Sequence, residues 1–134
     1  AAEAECRLGE EPAAIEDLKA VMASRVPDYT CTKTGTALGA LTSDVTGSLL
    51  EEIITQRRVE LWGEFGRIYD IRRLKQGFRR TEAMGWPTST LLANRPTTDP
   101  ECYMWVMTIP QSEFDGNANM TPESDQNPIG DYAN

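Results

Sequence analysis

Apolar residues recur at helical spacing near the start of the chain. Residues 1–8 are good helix formers, and Gly9 stands where a helix would end. A second amphipathic pattern follows, with apolar residues three or four positions apart: Ile15, Leu18, Val21, Met22 and Val26. Pro12 suits the first turn of that helix, and Pro27 would stop it. The pattern therefore predicts an antiparallel helical hairpin over about residues 1–26.

A second helical hairpin is predicted over residues 48–76. Ser48 and Glu51 have the spacing of a capping box, in which each side chain bonds a backbone N–H at the start of a helix. Apolar residues follow at helical spacing until Gly63 and Gly66, where the chain is expected to turn. A further amphipathic stretch runs to about residue 76, and Gly77 is expected to end it.

The rest of the chain has little helical patterning. Residues 27–45 are rich in Thr, Gly, Ser and Asp, and we expect an irregular connection there. Prolines divide residues 77–134, which are expected to form a loop-rich C-terminal cap. The one strand-like run is residues 103–109, because it is aromatic and β-branched and is closed by Pro110. The fold class predicted is mainly α: two helical hairpins of a TPR-like repeat and a loop-rich C-terminal region with little β.

The core of two helical hairpins is thin, because such pairs normally stack on further repeats. The chain also lacks an initiator Met. We therefore expect residues 1–134 to be one region within a longer protein.

The charge distribution excludes one class of partner. The net charge is −8, from 13 Lys and Arg and 21 Asp and Glu residues. Phosphate contacts dominate nucleic-acid affinity, so an acidic chain is a poor nucleic-acid partner. Eight of the basic residues lie between Arg57 and Arg80. The favoured interpretation is that these residues pair with neighbouring acids; anion binding is the alternative.

The absence of histidine removes several chemistries. No Ser-His-Asp or Cys-His catalytic arrangement is possible, and no His-containing zinc site. Cys6, Cys31 and Cys102 match no zinc spacing, so no metal and no cofactor are expected. Either one disulfide or three free thiols is compatible with these positions.

Three stretches of the chain stand in an order that is typical of one protein family. They are residues 4–9 (AECRLG) with 13–18 (AAIEDL), residues 51–73 (EEIITQRRVELWGEFGRIYDIRR), and residues 109–113 (IPQSE) with 126–130 (QNPIG). Together they resemble the C-terminal part of the SusD/RagB family. Gln56 departs from the family pattern, which usually has Glu there, and Ile129 interrupts the terminal segment.

The resemblance implies a nutrient-binding lipoprotein on the cell-surface face of the outer membrane in Bacteroidetes. Such a protein captures an oligosaccharide or other nutrient and presents it to a TonB-dependent, SusC-like transporter. The resemblance implies no enzymatic activity and no cofactor, and membrane contact only through a lipid anchor that we do not expect within this chain. The alternative hypothesis is a helical-repeat module for protein–protein interaction without sugar binding.

The central motif contains charged residues at helical spacing, and we interpret them as a structural ion network: Arg57, Glu60, Glu64, Arg67 and Asp70. Pairs one turn apart stabilise a helix, and a partly buried network fixes one packing arrangement. A glycosidase pair would need one carboxyl group with a raised pKa, whereas neighbouring arginines lower both pKa values. A catalytic role is therefore not favoured.

Aromatic residues outside the long helices are the candidate ligand contacts. Sugars stack on exposed aromatic faces, and Trp86, Tyr103 and Trp105 are the candidates here. Strand alternation would place Tyr103 and Trp105 on one face. The competing interpretation is that this face packs on the helices. Trp86, in the sequence Met-Gly-Trp-Pro, is the candidate expected to be most exposed.

Overall fold

The structure is a computed structural model that describes residues 1–64, 66–92 and 95–128. It divides into two compact units, residues 1–67 and 68–134. Six α-helices and no β-strand occur among the described residues, which confirms a mainly α fold. Phe65 and residues 129–130, which belong to the motifs quoted above, lie outside the described residues, as do residues 93–94 and 131–134 of the predicted C-terminal cap.

The first unit begins with two short helices that pack on each other, α1 (Ala2–Leu8) and α2 (Glu11–Met22). Gly9 ends α1 in the left-handed conformation with φ 83°, as predicted, which glycine adopts without steric cost. The backbone N–H of Glu10 then donates to the Glu5 carbonyl at 2.9 Å, which closes the turn. Helix α2 ends four residues before the predicted boundary at Val26.

Helix α3 (Leu49–Glu60) packs on both α1 and α2 and completes the core of the first unit. One face of each helix is buried there, as the apolar spacing predicts. The buried core residues of this unit are Cys6, Ala14, Leu18, Met22, Leu49, Leu50, Ile53 and Ile54. Residues 23–47 form an irregular connection between α2 and α3, apart from one isolated bridge residue.

The predicted cap at Ser48 is present, with one difference. Ser48 Oγ accepts the backbone N–H of Glu51 at 3.0 Å. The Glu51 carboxylate does not return to Ser48 but accepts the backbone N–H groups of Gly47 at 2.6 Å and Thr46 at 3.0 Å. Ser48 Oγ also donates to the Ala37 carbonyl at 2.5 Å, so the helix start is tied to the loop before it.

Helix α4 (Arg67–Leu74) follows after the glycine-containing turn. It ends at Leu74, because Lys75 has a positive φ of 50° and leaves the helical conformation. Both helices predicted within residues 48–76 are therefore present. They fall in different units, and their pairing as a TPR-like hairpin stays a prediction.

The second unit is built from short helices and loops. Its elements after α4 are 3₁₀ turns at Glu82–Met84, Thr88–Thr90 and Tyr103–Trp105, then α5 (Gln111–Gly116) and α6 (Pro122–Asp125). Its buried residues are fewer than those of the first unit and include polar ones: Asp70, Ile71, Gln76, Thr97, Cys102 and Phe114.

The prediction of a strand at residues 103–109 is wrong. Tyr103–Trp105 form a 3₁₀ turn, in which the Trp105 N–H donates to the Cys102 carbonyl and the Val106 N–H to the Tyr103 carbonyl. Composition favours a strand here, but a strand needs a partner for its backbone hydrogen bonds. Side chains supply partners instead, and Tyr103 and Trp105 do not alternate as in a strand.

Residues 107–109 are held by the amide side chains of Gln126 and Asn127. Gln126 Oε1 accepts the Ile109 N–H at 2.8 Å, and Gln126 Nε2 donates to the Ile109 carbonyl at 3.0 Å. Asn127 Nδ2 donates to the Met107 carbonyl at 2.7 Å. The two halves of the third motif, around Ile109 and Gln126, are therefore joined by hydrogen bonds.

Candidate functional site

The candidate site of the second unit is built on an extended segment that begins at Gly77. The Phe78 N–H donates to the Thr97 carbonyl at 2.8 Å, which fixes this segment beside residues 97–98. A Cβ atom at Gly77 would overlap the backbone of Thr98, so glycine permits this close approach. In extended chain, alternate side chains point to the same side, and Phe78 and Arg80 are neighbours in this way.

Arg80 lies between two aromatic rings. Its guanidinium carbon is 4.4 Å from the centroid of the Trp86 ring and 5.2 Å from that of Phe78. Arg80 Nη1 also donates to the Thr90 carbonyl at 3.2 Å, which limits the movement of the side chain. A guanidinium over an indole face is attracted by the ring quadrupole, by about 0.5–1 kcal/mol at exposed sites.

Trp105 continues this cluster on the other side of Phe78. The two rings meet edge to face, with centroids 5.5 Å apart and an interplanar angle of 74°. The Trp105 indole N–H donates to the Asp99 carbonyl at 3.1 Å, and Arg72 donates to the Trp105 carbonyl. Trp105 is half-buried and is held at three points.

The structure thus connects two of the three predicted aromatic candidates. Trp86 and Trp105 are linked through Arg80 and Phe78, and Trp86 is 43% exposed. Tyr103 is half-buried. Sequence reasoning missed Phe78 and Arg80. The only signal for them was their alternation after Gly77, which does not indicate the ring they meet.

Two acidic residues of the central motif form ion pairs, one in each unit. Glu60 binds Arg25, with Arg25 Nη1 and Glu60 Oε2 2.5 Å apart. Asp70 is buried and binds Arg73, with Asp70 Oδ1 and Arg73 Nε 2.8 Å apart. Neither Arg25 nor Arg73 was in the predicted network, and Glu64 is exposed. One network of all five predicted residues stays a prediction.

A second polar cluster, unforeseen from the sequence, centres on Glu52 in the first unit. Glu52 Oε1 accepts from Tyr29 Oη at 3.0 Å and from Gln56 Nε2 at 2.9 Å. Glu52 Oε2 accepts from Lys33 Nζ at 2.7 Å. These bonds tie residues 29–33 of the connection to helix α3.

The protonation of this cluster follows from its geometry. Burial raises the pKa of Glu52, but the bonds from Lys33, Gln56 and Tyr29 outweigh it, so the pKa lies below its ordinary value. The bond to Glu52 raises the pKa of Lys33. Burial, followed by the bond to Glu52, raises the pKa of Tyr29. The cluster is therefore one carboxylate held by one ammonium group and two neutral donors, which is a structural arrangement.

The first unit also has an open groove of about 470 Å³ between its helices. Buried Leu18 and Ile53 form part of its floor, and exposed Val21 lies beside them. The acids Asp17 and Glu60 stand among its lining residues. The groove combines an apolar surface with charged groups, as many binding grooves do.

Reactive and metal-binding groups do not converge in the described part of the chain. Cys6, Cys31 and Cys102 are all free thiols, and Cys6 and Cys102 are buried. Within residues 1–64, 66–92 and 95–128, no cluster of His, Cys, Asp and Glu side chains could hold a metal ion. No helix in those same ranges is long and apolar enough to cross a membrane.

Comparison with protein families gives one match. The model of the SusD family (SusD_RagB) matches residues 1–129. No curated protein and no solved structure matches the chain. The match covers nearly the whole sequence, including the first two motifs, all of the third except Gly130, and the cluster of Trp86 and Trp105. On this evidence the chain belongs to the SusD family.

Proposed function

We propose that this protein is the glycan- or nutrient-binding component of an outer-membrane uptake system. The observation that carries the proposal is the SusD family match over residues 1–129, since that family implies a nutrient-binding component of the outer membrane. The family is a binding family, and we propose no enzymatic role. The net charge of −8 is compatible with an extracellular binding protein.

The finer parts of the proposal concern location and partner. The parent protein would sit on the cell-surface face of the outer membrane, held by a lipid anchor. It would present its ligand to a TonB-dependent, SusC-like transporter. Both features are typical of the family.

Within this chain, we propose Trp86 as the ligand contact among the three aromatic candidates. Trp86 combines an exposed ring with neighbours that fix it, as a stacking surface requires. Trp105 is half-buried and bonded through both its indole N–H and its carbonyl, so it supports the cluster from beneath. Tyr103 is the third candidate, and its half-buried position gives it a smaller ligand surface.

Two measurements on the full-length protein test the proposed function. Binding to arrayed plant, host and microbial glycans should identify a ligand class, and titration calorimetry should give its Kd. The transporter should copurify with the protein from outer membranes. Absence of binding across all glycans, together with a captured protein partner other than a transporter, would favour the protein-interaction alternative instead.

Substitution of Trp86 tests its place in that function. Loss of a central aromatic contact commonly costs 1–2 kcal/mol, so Trp86→Ala should weaken ligand binding by about tenfold. The matched control is Trp62→Ala, because Trp62 is 86% exposed and belongs to the first unit. If both variants bind like the wild type, the ligand site lies elsewhere in the parent protein.

One observation, the groove of the first unit, favours the alternative function of protein–protein interaction. A partner segment with apolar side chains and a basic group would complement Val21, Leu61 and Asp17. Val21→Glu should abolish such an interaction and leave sugar binding intact. This variant therefore distinguishes the alternative, a protein-interaction module without sugar binding, from the proposed function.

A further inference from the structure

Trp86 has two faces in different surroundings. The Arg80 guanidinium covers one face at 4.4 Å from the ring centroid, and yet 43% of the residue remains exposed. A group in van der Waals contact with one face excludes other molecules from it. A ligand that stacks on Trp86 would therefore have to use the opposite face.

The covered face is held by a series of contacts rather than by one. Arg80 is fixed by the Thr90 carbonyl and lies over Phe78, and the Phe78 ring packs edge to face on Trp105. The backbone approaches Trp86 through Gly85, which has φ 81° and ends the preceding 3₁₀ turn. An aromatic ring fixed in this way loses little conformational freedom when a ligand stacks on it, which favours binding.

The charge of Arg80 adds selectivity. A cationic ligand on the open face of Trp86 would share the ring quadrupole with the guanidinium and would be repelled by it. A neutral pyranose, which offers C–H groups to the ring, meets no such charge opposition. The geometry therefore favours uncharged sugars over amino sugars at this position.

We propose that Arg80 is a positioning residue that holds Trp86 as a one-faced stacking platform for an uncharged pyranose. The inference rests on the proposed function and deepens it, because it names the ligand class and the residue that prepares the surface. Arg80 does not contact the ligand in this arrangement. It affects ligand binding by orienting the Trp86 ring and by changing the electrostatic potential at that ring.

The variants that test this are Arg80→Gln and Arg80→Lys in the full-length protein. Gln removes both the charge and the planar stack, whereas Lys keeps the charge without the stack. Arg79→Gln is the matched control, because Arg79 is the adjacent and exposed arginine. Binding of neutral gluco-, manno-, xylo- and galacto-oligosaccharides and of chitosan oligosaccharides is measured by calorimetry. Trp86 is observed by ¹⁹F NMR after incorporation of 5-fluorotryptophan.

Arg80→Gln should weaken neutral-sugar binding by about 3- to 10-fold, and Arg80→Lys should fall between it and the wild type. The Trp86 resonance of the ligand-free protein should shift and broaden in Arg80→Gln and stay unchanged in Arg79→Gln. Chitosan oligosaccharides should bind the wild type more weakly than neutral ones, and that gap should narrow in Arg80→Gln.

The outcomes separate the inference from the function on which it rests. If the wild type binds none of these sugars and no glycan on the arrays, the proposed glycan binding fails and the inference fails with it. If it binds neutral sugars and Arg80→Gln has the Kd of Arg79→Gln, only the inference is overturned. If Arg80→Gln unfolds, Arg80→Lys decides: wild-type affinity together with a displaced Trp86 resonance contradicts the positioning role.

Discussion

At Gly77 the backbone passes so close to Thr98 that no side chain fits. The atoms that a Cβ would overlap are backbone atoms, so they cannot rotate away as a flexible side chain would. Gly77 precedes Phe78, whose N–H bond to Thr97 fixes the segment that carries Arg80. The sequence offered Gly77 only as the end of a helix, because a close approach between residues 21 positions apart leaves no local pattern.

Gly77→Ala should therefore destabilise the protein by about 2 kcal/mol, the usual cost of overpacking. Thermal unfolding measures the loss, and the edge-to-face contact of Phe78 and Trp105 should be disturbed in near-ultraviolet circular dichroism. Gly116→Ala is the control, because a Cβ there meets nothing within 4 Å and Ala suits the last residue of α5. Equal stabilities of the two variants would contradict the close approach.

Glu52 contributes to the pH dependence of the stability of the first unit, because its pKa differs between the folded and the unfolded protein. Its pKa is lowered in the folded protein, so its contribution to stability is present above the unfolded-state pKa and is lost as the pH falls through the folded pKa. Lys33, with a raised pKa, behaves in the opposite sense. Its contribution is present below the unfolded pKa and is lost as the pH rises through the folded pKa.

Glu52→Gln should lower the free energy of unfolding at pH 7 by about 2 kcal/mol, because hydrogen bonds to a charged group are replaced by weaker ones. The difference from the wild type should shrink as the pH falls from 7 towards 3, in urea unfolding followed by circular dichroism. Glu16→Gln is the control: its side chain is 73% exposed and its one ion pair is with Lys19, so the loss should be below about 0.5 kcal/mol. If the difference in the free energy of unfolding between Glu52→Gln and the wild type did not change with pH, Glu52 would be excluded as the titrating group.

At the scale of elements, sequence reasoning succeeded where the decisive interactions are local. The cap at Ser48 and the end of α1 at Gly9 depend on residues within one turn of each other. It failed at residues 103–109, where the composition was that of a strand. Such a run forms a strand only if a distant backbone segment pairs with it. Here the hydrogen-bond partners of its backbone are the side chains of Gln126 and Asn127.

The candidate site shows the same difference between local features, which the sequence predicts, and contacts between distant residues, which it does not. The exposure of Trp86 followed from its neighbours in sequence, Gly85 and Pro87. Its partner Arg80 could not be foreseen, since the 3₁₀ turn at Glu82–Met84 brings the two together. The supporting ring of Phe78 meets Trp105 across 27 positions. A local sequence pattern does not reveal contacts between residues that are so far apart along the chain.

In the terminal motif, the side-chain amide of Gln126 forms two hydrogen bonds with the backbone of Ile109. Gln126→Ala would leave both Ile109 groups without this partner, at a cost of about 1–2 kcal/mol. Hydrogen exchange should show faster exchange of the Ile109 amide. Gln111→Ala is the control, because that side chain bonds only Asp115 one turn away and should cost less than about 0.5 kcal/mol. Unchanged exchange at Ile109 would contradict the bonding.

At the scale of the whole molecule, the two units differ in the density of their cores. The first unit has the denser apolar core, and its Glu52 carboxylate is held by Tyr29, Lys33 and Gln56. The second unit has a sparser core and carries the exposed aromatic cluster. This difference supports the proposed ligand contact at Trp86, because binding residues are often carried by loops that a stable scaffold positions.

The three thiols report on the integrity of both units at once. Cys6 is buried in the first unit and Cys102 in the second, whereas Cys31 is half-buried in the connection. Burial raises the pKa of Cys6, which lowers its thiolate fraction and its reactivity. In native protein, DTNB should therefore label one thiol rapidly, and Cys31→Ser should remove that fast phase.

In denaturant without reductant, all three thiols should react with DTNB. Reaction of only one thiol there would show that two cysteines form a disulfide, and rapid labelling of Cys102 in the native protein would show that the core of the second unit opens readily.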